Sequence, residues 1–382
     1  MTSWQTKKLG NVCRLIKGKK PQTFVSRGGR PYLTARVVRG TEEPKFAADN
    51  SSPSISVKSD DIVIIMDGSN SGEMFTGLTG VLASTMGIVS CPKDLVDSRF
   101  LLQFLSSYRE DFTKSRTGSA IPHLNKEEFD NLEIPLPKLS EQRRLVALLD
   151  ETFAAISKAK ENTEKNLKNS RELFESHSRS VFESPKYEKK NLGEVCERVE
   201  YGSSAKSKKE GKVPVLRMGN IQDGKFVWDS LVYSDNEEEI EKYTLKHDDV
   251  LFNRTNSPEL VGKTAIYKGE RPAIFAGYLI RIHRKIDLLD ADYLNYFLNS
   301  YLAKEYGKTV LIGSVNQANI NGKKLLSYQI PVPEIAEQRV IVERLNALSE
   351  QTKKLEEIYR KKLAALEELK KSVLRKAFAG EL

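Results

Sequence analysis

Residues 134–153 read IPLPKLSEQRRLVALLDETF, and residues 330–349 read IPVPEIAEQRVIVERLNALS, 196 positions later. Both carry Ile-Pro-x-Pro, three residues, Glu-Gln-Arg, and then apolar residues at helical spacing. An offset near half of the 382-residue chain makes internal duplication the first hypothesis. Pro135 and Pro137, like Pro331 and Pro333, fix φ and push the residue before each into an extended conformation. Each pair therefore ends a strand and turns the chain toward a helix. Ser140 is expected to cap the first helix, with Glu141 in the first turn where the dipole favours an anion; Ala336 stands at the second cap position.

Both helices should be long. The second has a stripe at Ile341, Leu345, Leu348, Thr352, Leu355, Tyr359, Lys362, Leu366, Leu369, Val373 and Lys376, in alternating steps of four and three. The first repeats the pattern more weakly through Leu145, Leu148, Thr152, Ile156, Ala159, Thr163, Leu167, Ser170, Phe174, His177 and Val181. Such seams, free of proline, predict two helices of about 42 residues, roughly 63 Å each, paired as an antiparallel coiled coil.

The duplication extends beyond the helices. Lys8-Leu9-Gly10-Asn11-Val12-Cys13 matches Asn191-Leu192-Gly193-Glu194-Val195-Cys196, and Asp60-Asp61-Ile62-Val63 matches Asp248-Asp249-Val250-Leu251. Asp97 and Asp290 each precede an amphipathic stretch and should cap a helix. The β-branched runs 62–65 and 250–252 read as buried strands, and Gly68, Gly72, Gly77 and Gly80 punctuate loops. The expected fold class is α+β: two similar mixed α/β modules at 1–139 and 184–333, separated by helices at 140–183 and 334–382, with a pseudo-two-fold internal repeat.

The net charge is +9, and residues 1–41 hold ten basic residues and no acidic one. That distribution is the footprint of a polyanionic partner. No apolar run is long enough to span a bilayer and the N-terminus has no signal-peptide core, so a cytoplasmic location is expected. Three cysteines cannot all pair, which fits a reducing compartment; Cys13 and Cys196 read as core thiols. Catalytic signatures are missing. Gly262-Lys263-Thr264 ends like a phosphate loop, but Ser257 stands where the motif needs its first glycine. No Cys or His pair has metal-ligand spacing, so no metal is expected.

The two Pro-x-Pro…Glu-Gln-Arg motifs, Thr117-Gly118-Ser119 with Asn125, Ile312-Gly313-Ser314 with Asn321, and the ending Leu-Arg-Lys-Ala-Phe-x-Gly-Glu-Leu (374–382) together resemble the specificity subunit of Type I restriction-modification enzymes. The resemblance covers essentially the whole chain. It implies that the modules are target recognition domains, each reading one half of a bipartite, asymmetric double-stranded DNA target. It implies that the helices are spacers that set the gap and dock modification (methyltransferase) subunits, two of them. It further implies a restriction/translocase subunit as partner, no catalysis by this chain, and S-adenosylmethionine on the methyltransferase rather than here. A helix of about 63 Å corresponds to roughly 18 base pairs, an upper bound on the gap. Two other readings share parts of the pattern: a coiled-coil scaffold without DNA readout, and the specificity subunit of a Type IIB-like enzyme.

Phosphate anchoring is expected from Lys17, Lys19, Lys20, Arg27 and Arg30, and from Lys206, Lys208, Lys209 and Lys212. Base edges call for arginine at guanine and amides at adenine. The candidates are Arg36, Asn70, Arg116, Ser119 and His123 in the first module, and Arg217, Asn220, Arg254, Asn256, Asn316, Gln317 and Asn319 in the second.

Overall fold

A computed structural model describes residues 4–115, 122–314 and 317–382. The chain forms two compact units, Met1–Glu164 with Lys361–Leu382, and Lys165–Arg360. The duplication is structural. In the first unit the strand Thr6–Lys8 pairs antiparallel with Glu133–Pro135, Lys7 facing Ile134. In the second, Lys189–Asn191 pairs with Gln329–Pro331, Lys190 facing Ile330. Each Ile-Pro segment is thus a strand on a two-stranded ribbon, where proline costs no sheet hydrogen bond in an interior position. A one-turn helix follows each first strand, Leu9–Val12 and Leu192–Val195, with Leu9 and Leu192 fully buried.

The apolar runs are central strands. Ile62–Ile65 lies between Met86–Ser90 and Met74–Phe75, and Val250–Asn253 lies between Leu279–Arg284 and Thr264–Ile266. Both runs are continuous rather than alternating because both faces are covered. Ile62 and Ile64 pack into one core with Phe100 and Phe104, while Val63 and Ile65 pack into another with Leu33 and Leu82. Val250 and Phe252 likewise face one core, and Leu251 faces another. The acidic turns before these strands close in the same way. Asp61 Oδ2 accepts from Lys58 N at 2.8 Å, and Asp249 Oδ2 accepts from Lys246 N at 2.9 Å.

Asp97 caps Ser98–Ser107 by accepting from Arg99 N and Phe100 N, and Asp290 caps Ala291–Asn299 by accepting from Asp292 N and Tyr293 N. The long helices run Leu139–Phe182 and Ile335–Ala379, 44 and 45 residues. Ser140 is not the cap. The helix begins one residue earlier, and the Lys138 carbonyl accepts from Glu141 N and Gln142 N. Glu334 does the same in the second copy, so Ala336 is already helical.

Within each unit the helices run antiparallel, seen in Lys160 Nζ to Glu367 Oε1 at 2.7 Å in the first and Arg171 Nε to Glu356 Oε2 at 3.1 Å in the second. The expected seam of the first helix matches the buried face through Leu145, Ile156, Thr163 and Ser170. Beyond Thr352 the expected seam of the second helix holds at Tyr359, Leu366 and Val373, which are half-buried, and moves by one residue at positions between them. Glu356 and Leu363 turn inward, while Leu355 and Leu369 are 37% and 47% exposed and Lys362 is exposed. A straight helix drifts by about 20° per heptad against a strict seven-residue repeat, which carries a heptad seam off the buried face.

The Glu-Gln-Arg motif now has a reason. Gln142 is fully buried; its Nε2 donates to Leu95 O and Pro137 O at 2.9 Å, and its Oε1 accepts from Asp97 N at 2.8 Å. Gln338 repeats all three bonds with Leu288 O, Pro333 O and Asp290 N. Each glutamine ties the first turn of a long helix to the strand exit and to the cap of the shorter helix. Gln338→Leu leaves one N–H and two carbonyls without that partner, each orphan costing about 1–3 kcal/mol. The expected loss is about 3 kcal/mol in the second unit, measured as a shifted urea midpoint. A shift below about 1 kcal/mol would contradict the clamp.

The end of each long helix packs in the unit that the other repeat begins. Phe182, last residue of the first helix, sits against Tyr293 and Phe297 in the second unit. Phe378, near the end of the second helix, sits against Phe100 and Phe104 in the first.

The cysteines depart from expectation. Cys13 is bonded to Cys91 rather than standing as a free core thiol. Cys196 is the buried free cysteine, and burial pushes its thiol up to about 12.

Candidate nucleic-acid interface

The strand after each one-turn helix, the central strand and the loop before the Ile-Pro segment converge on one corner of each unit. In the first, Asp67 and His123 form a backbone bridge just beyond Ile62–Ile65, and Leu124 N donates to Met66 O at 2.8 Å. In the second, Thr255 lies opposite Asn319 just beyond Val250–Asn253, and Ile320 N donates to Arg254 O at 2.9 Å. The flanking strand corresponds as well. Gly87 faces Lys17 while Met86 faces Ile65; Ile280 faces Tyr201 while Leu279 faces Asn253. Lys17, Met66, Asp67 and His123 therefore occupy the places of Tyr201, Arg254, Thr255 and Asn319. Beyond the strand, Gly18 and Gly202 are required alike, since a Cβ would lie 2.2 Å from Ala83 O or Phe275 O.

The backbone frame is shared and the chemistry is not. Asp67 Oδ2 accepts from Lys17 Nζ at 3.2 Å, and its Oδ1 lies 2.8 Å from Nδ1 of His123, whose side chain is 48% exposed. In the second unit Asn319 Nδ2 donates to Thr255 Oγ1 at 2.8 Å and its Oδ1 accepts from Arg254 Nη2 at 3.4 Å. The Arg254 guanidinium lies 4.7 Å over the Tyr201 ring.

The remaining expected residues divide. Lys19, Lys20, Arg27, Arg36, Lys206 and Lys209 are exposed, and among the described residues no carboxylate pairs with them. They suit phosphate contact. Lys208 and Lys212 are exposed but paired with Asp235 and Glu237, and the hydrogen bond from Lys208 holds the Asp235 carboxyl below its ordinary range. Arg30 braces a loop through Ser56 Oγ and Asp49 O. Arg217 is half-buried and donates to Ser230 O. Asn70 is half-buried, and its carbonyl accepts from Glu73 N. Asn256 Oδ1 accepts from Ser257 N.

Asn220 is a correction. It is 4% exposed, and its amide is spent on Arg217 N, Val227 O and Asp229 O, so it holds a turn rather than a base. Asn319 is engaged at both ends of its amide. Arg116, Ser119 and Asn316 lie outside the described residues; the backbone of Gln317 opens the strand Gln317–Asn319. Sequence reasoning missed Asp67, Tyr201 and Thr255. The repeat offset of 183 aligns Lys17 with Glu200, and the irregularity between Cys196 and Arg198 shifts the register by one so that Tyr201 takes that place.

Among the described residues no group of His, Cys, Asp or Glu is placed to hold a metal, and no helix is long and apolar enough to cross a membrane. Comparison with known proteins gives one consistent result. The family model for the Type I restriction modification DNA specificity domain matches residues 1–167 and again 185–367. The Type I restriction enzyme MjaVIII specificity subunit of Methanocaldococcus jannaschii is 32% identical over 99% of this chain and 93% of its own length. The EcoKI specificity subunit of Escherichia coli K12 is 27% identical over 76% of this chain and 67% of its own. A solved structure described as the basis of complex assembly and conformational transition of the Type I restriction-modification system superposes with a TM-score of 0.79 at 21% identity, covering 100% of this chain and 99% of that one. The HsdS subunit from Thermoanaerobacter tengcongensis superposes at 0.64 and 20% identity, covering 100% and 98%.

Proposed function

The chain belongs to the specificity-subunit family of Type I restriction-modification enzymes, and from that premise we propose that each unit reads one half of a bipartite, asymmetric DNA target. The observation that carries this is the shared corner with exchanged side chains, Asp67 and His123 in one unit and Thr255 and Asn319 in the other. A common frame with different donors and acceptors is what two unlike half-sites require. Exposed lysines and arginines around it supply sequence-independent phosphate contacts. The continuous helices of 44 and 45 residues set the gap between half-sites and carry the docking surface for two methyltransferase subunits. The chain itself performs no chemistry; S-adenosylmethionine and the methyl transfer belong to the modification subunit, and cleavage to a restriction subunit that joins them.

The test is reconstitution. The purified chain should methylate no DNA, and adding its modification subunit should produce methylation at one gapped sequence motif. Methyl transfer by the chain alone, or methylation without any motif, would overturn the proposal.

A further inference from the structure

We propose that Arg254 reads a guanine in the half-site of the second unit, and that Tyr201 and Asn319 are the residues that position it. This rests on the specificity-subunit reading and names one contact within it.

Arg254 follows the buried strand Val250–Asn253, and its backbone is fixed on both sides, N donating to Tyr278 O at 3.0 Å and O accepting from Ile320 N at 2.9 Å. The guanidinium stacks on Tyr201, whose hydroxyl accepts from Gly322 N at 2.8 Å, so the ring cannot swing away. Asn319 touches Nη2 through Oδ1 while its Nδ2 donates to Thr255 Oγ1; an amide flip would set Nδ2 against the guanidinium and lose the contact to Arg254. Three neutral groups thus hold one cation in a single pose.

What is missing from that pose is an anion. Arg281, by contrast, is matched by Glu200 and Asp249, and Arg39 and Arg109 by Glu73. Among the described residues no carboxylate pairs with Arg254; its Nε is buried without a hydrogen-bond partner, as are those of Arg30, Arg217 and Arg284, so a ligand would meet its Nη donors. A half-buried guanidinium with five donors and one acceptor at 3.4 Å is under-satisfied. Such a group is costly unless a ligand completes it. The flat bidentate acceptor that matches its fork on duplex DNA is the O6/N7 edge of guanine. The guanidinium lies over the Tyr201 ring, an arrangement that suits a planar fork meeting a planar base edge. The equivalent position in the first unit is Met66, with Lys17 in place of Tyr201, so the device is present once. It would make the two half-sites differ at corresponding positions.

The full chain is co-expressed with its modification subunit in a host free of other adenine methylation, and methylated positions are mapped across the host genome. With Arg254→Gln, one guanine in one half-site should become degenerate, discrimination there falling by about 5- to 150-fold. The other half-site should stay as it is. Arg254→Lys should relax the same position, since a point charge cannot make the fork. Tyr201→Leu should relax that position alone, which a general loss of folding would not do. An unchanged motif in Arg254→Lys overturns the proposal. So does a uniform loss of methylation with the motif intact and the salt slope of DNA binding reduced by about 1, the signature of a phosphate contact. If Arg254→Gln lowers the melting temperature and methylates nothing, Arg254→Lys decides by the same criterion. If the wild-type complex methylates no gapped motif, the specificity-subunit reading itself fails, and this contact with it.

Discussion

Truncating Phe182 to alanine is expected to cost the second unit about 3–5 kcal/mol, the range for removing a buried phenylalanine. Its ring is fully buried and meets Tyr293 and Phe297 edge-on at centroid distances of 5.4 and 5.5 Å. Those residues lie on the helix capped by Asp290, more than a hundred positions along the chain. The counterpart is Phe378, edge-on to Phe100 and Phe104 at 5.3 Å each. Phe378→Ala should therefore weaken the first unit, although it lies at the far end of the sequence. The chain has two tryptophans, Trp4 in the first unit and Trp228 in the second. Urea unfolding in a Trp4→Phe background follows the second unit, and in a Trp228→Phe background the first. Phe182→Ala should shift the Trp228 transition and Phe378→Ala the Trp4 transition. The opposite assignment would mean that the helix ends are not exchanged in solution.

Replacing Arg281 by methionine should be as damaging, with a loss of about 3–5 kcal/mol read on the same Trp228 signal. Arg281 is 5% exposed and donates to Glu200 Oε2 at 2.9 and 2.6 Å, to Asp249 Oδ2 at 3.0 Å and to Thr244 O at 3.0 Å. His283 adds a contact to Glu200 at 3.0 Å. Without the arginine, two largely buried carboxylates lose their counter-charge. The first unit shows another solution at the same place. Ile88 stands between Val63 and Ile16 as Arg281 stands between Leu251 and Glu200. Arg281→Ile with Glu200→Ile should therefore recover at least about 2 kcal/mol relative to the single change, because replacing a buried pair costs far less than breaking it.

The cluster also sets an acid limit. Burial raises the Glu200 carboxyl, but hydrogen bonds from Arg281 and His283 outweigh it and hold the group below its ordinary value. Its stabilisation is complete above the unfolded value of about 4.3 and is lost as pH falls through the lower folded value. In Arg281→Met, burial acts on the carboxylate without the arginine to offset it, so acidification should narrow the gap to wild type.

Much of this architecture was legible in the sequence because its signals are local. Proline placement, the Asp97 and Asp290 caps, the acidic turns before Ile62 and Val250, and the seam of the first helix each depend on residues within a few positions of one another. These determined the duplication, the element types and the pairing of the helices. Tertiary structure alone decided what each element meets. It joined Cys13 to Cys91, turned Leu355 outward and Glu356 inward, spent Asn220 on its own turn, and gave Gln142 and Gln338 their three bonds. It set Phe182 and Phe378 against aromatic rings more than a hundred positions away, and it brought Tyr201, Arg254 and Asn319 together from separate segments. The physical reason is that backbone preference is settled by adjacent residues, whereas burial and polar satisfaction are settled by whichever distant surface closes over a side chain, and one shifted register is enough to change that surface.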